Sequence, residues 1–279
     1  MGAQLFDSQA LAARRARVVR AGGGADFLHT HVARAMADRL AEVTRAFQAP
    51  ALLGWTAADR VTGVAAEPQT LGADETLPLG EARHDLVLSS LLMHSLNDPV
   101  GHLIQLRRAL SPDGLALVAL FGGQTLTELR ASLAEAEAEV TGGLAPRIAP
   151  MGEIRELGGL LQRAGFALPV ADSERLEVSY ASPLHLMREL RAMGETNVLR
   201  GRPAYLRRDV LARAVELYQR HFASADGEER IRATFEIVYL TGWSPAPSQP
   251  KALRPGSASI RLADALGTVE RPAGEKAGE

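Results

Sequence analysis

The stretch from His84 to Gly123 constrains the fold more than any other part of this chain. Asp85-Leu-Val-Leu-Ser-Ser reads as a buried strand, and Leu115 to Phe121 is a second, wholly apolar one. Between them Asn97, Asp98 and Pro99 supply a helix N-terminal signal, and Val100 to Leu110 carries a helical pattern. Ser111-Pro-Asp-Gly then reads as a turn. Two strands apolar on both faces, joined through a helix, describe a βαβ unit inside a parallel sheet.

The flanking segments build outward from this unit. From Ala25 onward, Phe27, Leu28, Val32, Met36, Leu40, Val43 and Phe47 mark one apolar face of an amphipathic helix that Pro50 ends. Ala51 to Trp55 reads as a short buried strand and Val61–Val64 as another. Thr125 and Glu128 have capping-box spacing and open a helix to about Val140, and Glu153 to Arg163 is a helix closed by Gly165. Leu168–Val170 and Leu176–Val178 are short strands, Pro183 to Met193 and about Leu206 to His221 are cap helices, and Ala233 to Trp243 alternates as a late strand. The expected organisation is a helical arm over 1–48, an α/β domain over 49–243 with a cap insertion near 182–223, and a Pro/Gly/Ser-rich tail over 244–279. Past roughly Gly267 that tail is expected to be disordered.

Composition narrows the function classes. The formal charge of −2 and the 5% aromatic content argue against a nucleic-acid binder. Absence of cysteine removes disulfides, thiolate metal ligands and a cysteine nucleophile. His29 and His31 stand two apart on a helix and do not share a face, and the other histidines lack partners in sequence, so no metal site is expected. No apolar run approaches the roughly 18 residues that span a bilayer. The N-terminus lacks an apolar signal core; Arg14, Arg15, Arg17 and Arg20 read as a solvated helix face, with a transit-type segment as the alternative. A cytoplasmic location is expected.

Several stretches, in order and spacing, carry a family resemblance. They are Ala73-Asp-Glu-Thr-Leu-Pro-Leu, the run Asp85 to Pro99, Arg107-Arg-Ala-Leu-Ser-Pro-Asp-Gly, and Leu120-Phe-Gly-Gly-Gln-Thr-Leu-Thr-Glu-Leu-Arg. Leu160-Leu-Gln-Arg-Ala-Gly-Phe, Leu190-Arg-Ala-Met-Gly-Glu-Thr-Asn and Ser248-Gln-Pro-Lys-Ala-Leu-Arg-Pro continue them. Together they resemble the class I methyltransferase-fold family that includes the mitochondrial complex I assembly factor acting as an arginine hydroxylase. The malonyl-acyl-carrier-protein methyltransferases are its sisters. The resemblance implies a Rossmann-like, mostly parallel twisted sheet with flanking helices and a helical cap, and S-adenosylmethionine across the carboxyl ends of the strands. It also implies a protein client, of the kind of an iron–sulfur subunit of NADH dehydrogenase.

Carried over residue by residue, the resemblance makes Gly54, Glu67, Asp74, Glu75, Leu77, Ser89 and Ser90 the candidate cofactor contacts. Glu67 is the acid nearest the ribose position, and Asp74 matches the adenine-side acid, a turn acid being its other reading. His94 borders the implied reaction centre, either as a general base or as a structural histidine holding the loop after the strand. The sequence also departs from the family. The first-strand loop should approximate D-x-G-x-x-x-G, yet here it is Leu52-Leu-Gly-Trp-Thr-Ala-Ala-Asp. The chain between Gly54 and Asp85 is too short for the usual elements, since one βαβ crossover alone needs about a dozen residues. The first βα unit is therefore read as reduced, with Trp55 filling either the methionine pocket or an edge left bare. Two functions follow: a methyltransferase-type enzyme acting on a protein client, or a non-catalytic assembly module on the same fold. A small-molecule carboxyl methyltransferase is the runner-up activity.

Overall fold

The computed structural model describes residues 4–20, 26–54, 64, 68–69, 75–224, 230–250, 257, 260–269 and 274. Contacts divide the chain into two units, Met1–Ala246 and Pro247–Glu279. The second unit carries, among its described residues, one short helix, α8 (Leu262–Leu266), closed by Gly267 in the left-handed conformation.

The first unit is organised by one six-stranded sheet in the order β2-β1-β3-β4-β6-β5. The strands are β1 (Pro50–Leu53), β2 (Pro68–Gln69), β3 (His84–Ser90), β4 (Leu110–Phe121), β5 (Ala167–Tyr180) and β6 (Ile231–Trp243). β2, β1, β3 and β4 pair in parallel, whereas β6 runs antiparallel to both of its neighbours. The helices are α1 (Ser8–Arg20), α2 (Phe27–Ala41), α3 (Pro99–Ala109), α4 (Thr127–Thr141), α5 (Ile154–Arg163), α6 (Pro183–Ala192) and α7 (Arg208–His221). Among the described residues no helix lies between β1 and β3; the expected strand at Val61–Val64 falls almost wholly outside them.

The two-residue period of the strands splits the core into two layers. Leu86 and Leu88 of β3 and Leu117 and Phe121 of β4 face α2, α4 and α7 through Leu28, Met36, Leu133 and Leu217. Val87, Val118 and Leu120 face the other way, onto α3 and α5 through Leu103, Leu106 and Leu161. The βαβ unit forms as read: Asp98 accepts from Gly101 N at 2.7 Å as the N-cap of α3, and Pro99 takes the first turn. The Ser111–Gly114 turn survives as an irregularity inside β4, where Asp113 adopts φ 63° and the register with β3 shifts.

Some local expectations were redirected by tertiary contacts. Thr125 and Glu128 do not cap α4, whose N-cap is Leu126 with no side-chain bond. The β4–β6 ladder ends at Phe121–Ile237, so the next groups of β6 need other partners. Thr125 Oγ1 accepts from Glu236 N and donates to Glu236 O, while Glu128 accepts from Thr234 N at 3.2 Å and Thr234 Oγ1 at 2.5 Å. The two short strands expected around residues 168–178 are one long strand, β5, because β6 offers a continuous antiparallel partner. α2 stops at Ala41, although Val43 and Phe47 still pack on the core. The basic face of α1 is not wholly solvated: Leu11 and Val18 are buried, Arg14 donates to Asn197 O, and one terminal nitrogen of Arg15 is buried with no hydrogen-bond partner among the described residues.

Candidate functional site

The strand order turns at β1 and β3: the chain leaves β1 for β2 on one side and reaches β3 and β4 on the other. In open parallel sheets, ligands bind in the crevice beyond the carboxyl ends of the strands at such a point. Gly54, Ser89 and Ser90 meet there. Gly54 has φ 134°, and a Cβ on it would lie 2.8 Å from Ser90 O, so its bare backbone serves close approach to β3. Ser89 is buried with Oγ 3.4 Å from His102 Nε2, and burial pushes the His102 imidazole down to about 4. Ser90 is buried too, and its Oγ has no partner among the described residues.

The remaining candidates do not gather at this crevice as ligands. Glu75, at φ 62°, is a structural hub: its carboxylate accepts from Asn97 N and Nδ2, Asp98 N and Ser8 Oγ. Asn97 in turn clamps the backbone of Phe6, accepting from its N at 2.8 Å and donating to its O at 3.2 Å. One carboxylate thus ties the D-E-x-L-P segment, the loop after β3 and the N-terminal arm together. Leu77 is buried in the α3/α5 layer, and its N donates to Gln105 Oε1. Glu67, Asp74 and Trp55 lie outside the described residues. Because hydrogen bonds to an ionised group contribute about 1.5–3 kcal/mol each and share one acceptor here, Glu75→Ala is expected to lower stability by about 3 kcal/mol. Urea unfolding of the two proteins checks this, and a loss below about 1 kcal/mol would contradict the hub.

His94 lies in a 3-10 turn, Met93–Ser95, directly after β3. Its ring packs on Phe121 with centroids 4.6 Å apart, and Nε2 lies 3.1 Å from Glu195 Oε2. Glu195 reaches it through a local device. Gly194 at φ 82° closes α6, with Gly194 N donating to Arg191 O and Glu195 N to Leu190 O, the Schellman pattern. That turn aims the carboxylate inward. Burial pushes the Glu195 carboxyl up, but the charge and hydrogen bond of His94, joined by Arg15 and His29, carry it below the usual range. His29 of α2, itself buried, is pushed down to about 4 by burial. Through its contact with Glu195, His94 ties the loop after β3 to the cap. Its partner Glu195, like the hub role of Glu75, carries no recognisable spacing in sequence because the pairs span 101 and 22 residues.

The glycines of Gly122-Gly-Gln-Thr also serve packing. A Cβ on Gly122 would meet the Glu236 carboxyl at 2.7 Å, and one on Gly123 would meet Glu153 Oε1 at 2.4 Å. Most of the segment between β1 and β3 that would hold S-adenosylmethionine lies outside the described residues, and the described candidates are largely engaged within the protein. Gly54 is filled by Ser90, Ser89 faces His102, Glu75 is committed to Asn97, and only the Ser90 hydroxyl is left open. Among the described residues no cluster of His, Asp or Glu is built to hold a metal ion.

A doubly wound parallel sheet, with its last strand inserted antiparallel and a helical cap over one side, defines a protein of the class I methyltransferase type. Comparisons with known proteins agree. A methyltransferase-domain family matches residues 19–118. The chain is 44% identical over 191 residues to the arginine-hydroxylase NDUFAF5, mitochondrial, of Danio rerio, and 39% identical over 208 residues to that of Homo sapiens. These alignments cover 68% and 74% of this chain and 59% of each relative. It is also 36% identical over 193 residues to the malonyl-[acyl-carrier protein] O-methyltransferase of Laribacter hongkongensis, covering 68% of this chain and 61% of that one. The chain belongs to the class I S-adenosylmethionine methyltransferase-fold family. It spans about 59% of the length of the arginine hydroxylases it matches. The cytoplasmic location expected from the sequence is overturned by these relatives, which are mitochondrial by name.

Proposed function

We propose that this chain is a complex I assembly factor of the methyltransferase family, one that holds a protein client, such as an iron–sulfur subunit of NADH dehydrogenase. The observation that carries the reading is the 44% identity to an arginine hydroxylase over 191 residues. That stretch is longer than the methyltransferase-domain match at 19–118, so the likeness extends beyond the cofactor-binding half of the fold. The described crevice favours holding over chemistry, since Glu75, Ser89 and Gly54 are all engaged by the protein itself.

A second reading, catalysis of methyl transfer or arginine hydroxylation on that client, is favoured by one observation, the buried Ser90 Oγ at the end of β3, which has no partner among the described residues. The likeness to a malonyl-[acyl-carrier protein] O-methyltransferase supports a small-molecule carboxyl acceptor within that second reading. Deleting the chain from its own organism tests the assembly role. Assembled NADH dehydrogenase, measured as NADH:quinone activity and as complex on a native gel, is expected to fall and to return when the chain is re-supplied. Unchanged complex in the deletion overturns the assembly role.

A further inference from the structure

We propose that the cleft between the N-terminal arm and the helical cap is a docking groove for an acidic client segment whose carboxylates flank apolar side chains. This rests on the assembly reading above and gives the chemistry of its client. The cleft encloses about 980 Å³. Its floor is apolar, with Leu129 and Leu133 from α4 and Met187 and Leu190 from α6.

The walls are cationic. Five arginines and two acids line the cleft, although the whole chain carries a formal charge of −2. Two of the arginines are matched: Arg202 pairs with Asp7 at 2.9 Å and Arg147 with Glu137 at 2.5 Å. The second lining acid, Glu195, is held by His94. Three guanidinium groups are left over, brought in from separate segments. Arg14 on α1 and Arg200 after α6 donate to backbone carbonyls, of Asn197 and Phe6, and Arg191 on α6 forms no ion pair among the described residues. Burial, then the nearby charges of Arg202, Arg17 and Arg191, hold Arg14 below the usual arginine range.

Like charges gathered around a groove repel one another, and an anion entering the groove relieves that repulsion. Guanidinium groups donate to carboxylates in a bidentate fork, which fixes geometry as well as charge. The apolar floor discriminates between anions. A phosphate backbone offers it nothing to bury, whereas a peptide alternating acidic and apolar residues covers floor and walls together.

The test uses the full chain and short fluorescein-labelled peptides of alternating Asp–Leu, Asn–Leu and Lys–Leu, read by fluorescence anisotropy. The Asp–Leu peptide is expected to bind, to weaken with added salt, and to bind about tenfold more tightly than the Asn–Leu peptide. Arg191 and Arg200 are exposed, so the Arg191→Ala/Arg200→Ala protein should unfold at the wild-type denaturant midpoint while losing about tenfold in affinity. Arg191→Glu/Arg200→Glu should transfer the preference to the Lys–Leu peptide. Equal binding of the Asp–Leu and Asn–Leu peptides, indifference to the double variant, or displacement by equimolar inorganic phosphate overturns the groove. Failure here with complex I still lost in the deletion removes the groove and leaves the assembly role. Peptide binding with complex I unaffected removes the assembly role and leaves the groove.

Discussion

Glu195→Ala is expected to lower the unfolding free energy by about 3 kcal/mol, the cost of leaving the buried hydrogen-bonding partner of a carboxylate unsatisfied. The magnitude follows from location. The His94 and Glu195 side chains are 4% and 14% exposed, and His94 is wedged against Phe121, so water replaces the lost carboxylate only from the cleft side. The Arg15 guanidinium, whose buried terminal nitrogen has no partner among the described residues, would lose its nearby countercharge as well. A double-mutant cycle with His94→Ala separates the pair from general packing, and contacting residues in one network couple by about 0.5–3 kcal/mol. A loss under about 1 kcal/mol in Glu195→Ala would mean that the pair is solvated and does not fasten the cap. The pair also has a sign in pH. Glu195 is depressed in the folded state, so its contribution is full above the ordinary carboxylate pKa and fades as pH falls through the folded value.

The second large effect is acid destabilisation from the two buried imidazoles. His29 and His102 are lowered from 6.5 to about 4, in each case first by burial. Both are neutral in the fold at pH values where the unfolded chain already binds their protons. Unfolding therefore takes up protons between pH 6.5 and 4, and stability falls as pH falls through that window. By about pH 5 each histidine is expected to remove about 2 kcal/mol relative to pH 7.5, and His102→Asn should remove roughly half of the slope. Denaturant midpoints measured across that range check it. A flat profile between pH 7.5 and 5 would contradict the burial of both rings.

Much of the fold is legible in the sequence wherever periodicity and turn chemistry act locally. The β3–α3–β4 unit, the Asp98 cap, Gly165 as a left-handed closure at φ 82° and both cap helices all form where their patterns lie. Thr125 and Glu128 show the limit. Their spacing suits a capping box, but β6 beyond Phe121 presents unpaired backbone groups that bind them more productively. The site is less legible than the fold. Gly54, Ser89 and Ser90 converge because strand ends converge, a property of topology that a parallel βαβ pattern already carries. Glu75 and Arg15, by contrast, take their roles from partners far away in sequence, and nothing in a three- or four-residue window marks an acid as a hub or a basic helix face as half-buried.

The proposed client-holding role rests on a crevice whose described residues Gly54, Ser89 and Glu75 are engaged within the protein. Calorimetric titration of the purified full chain with S-adenosylmethionine and S-adenosylhomocysteine tests it most directly. Losing two hydrogen bonds to charged groups, at about 1.5–3 kcal/mol each, weakens binding about a hundredfold or more, so no micromolar binding is expected. Micromolar binding that disappears in Ser90→Ala would contradict the claim and show that the end of β3 still forms a working cofactor site.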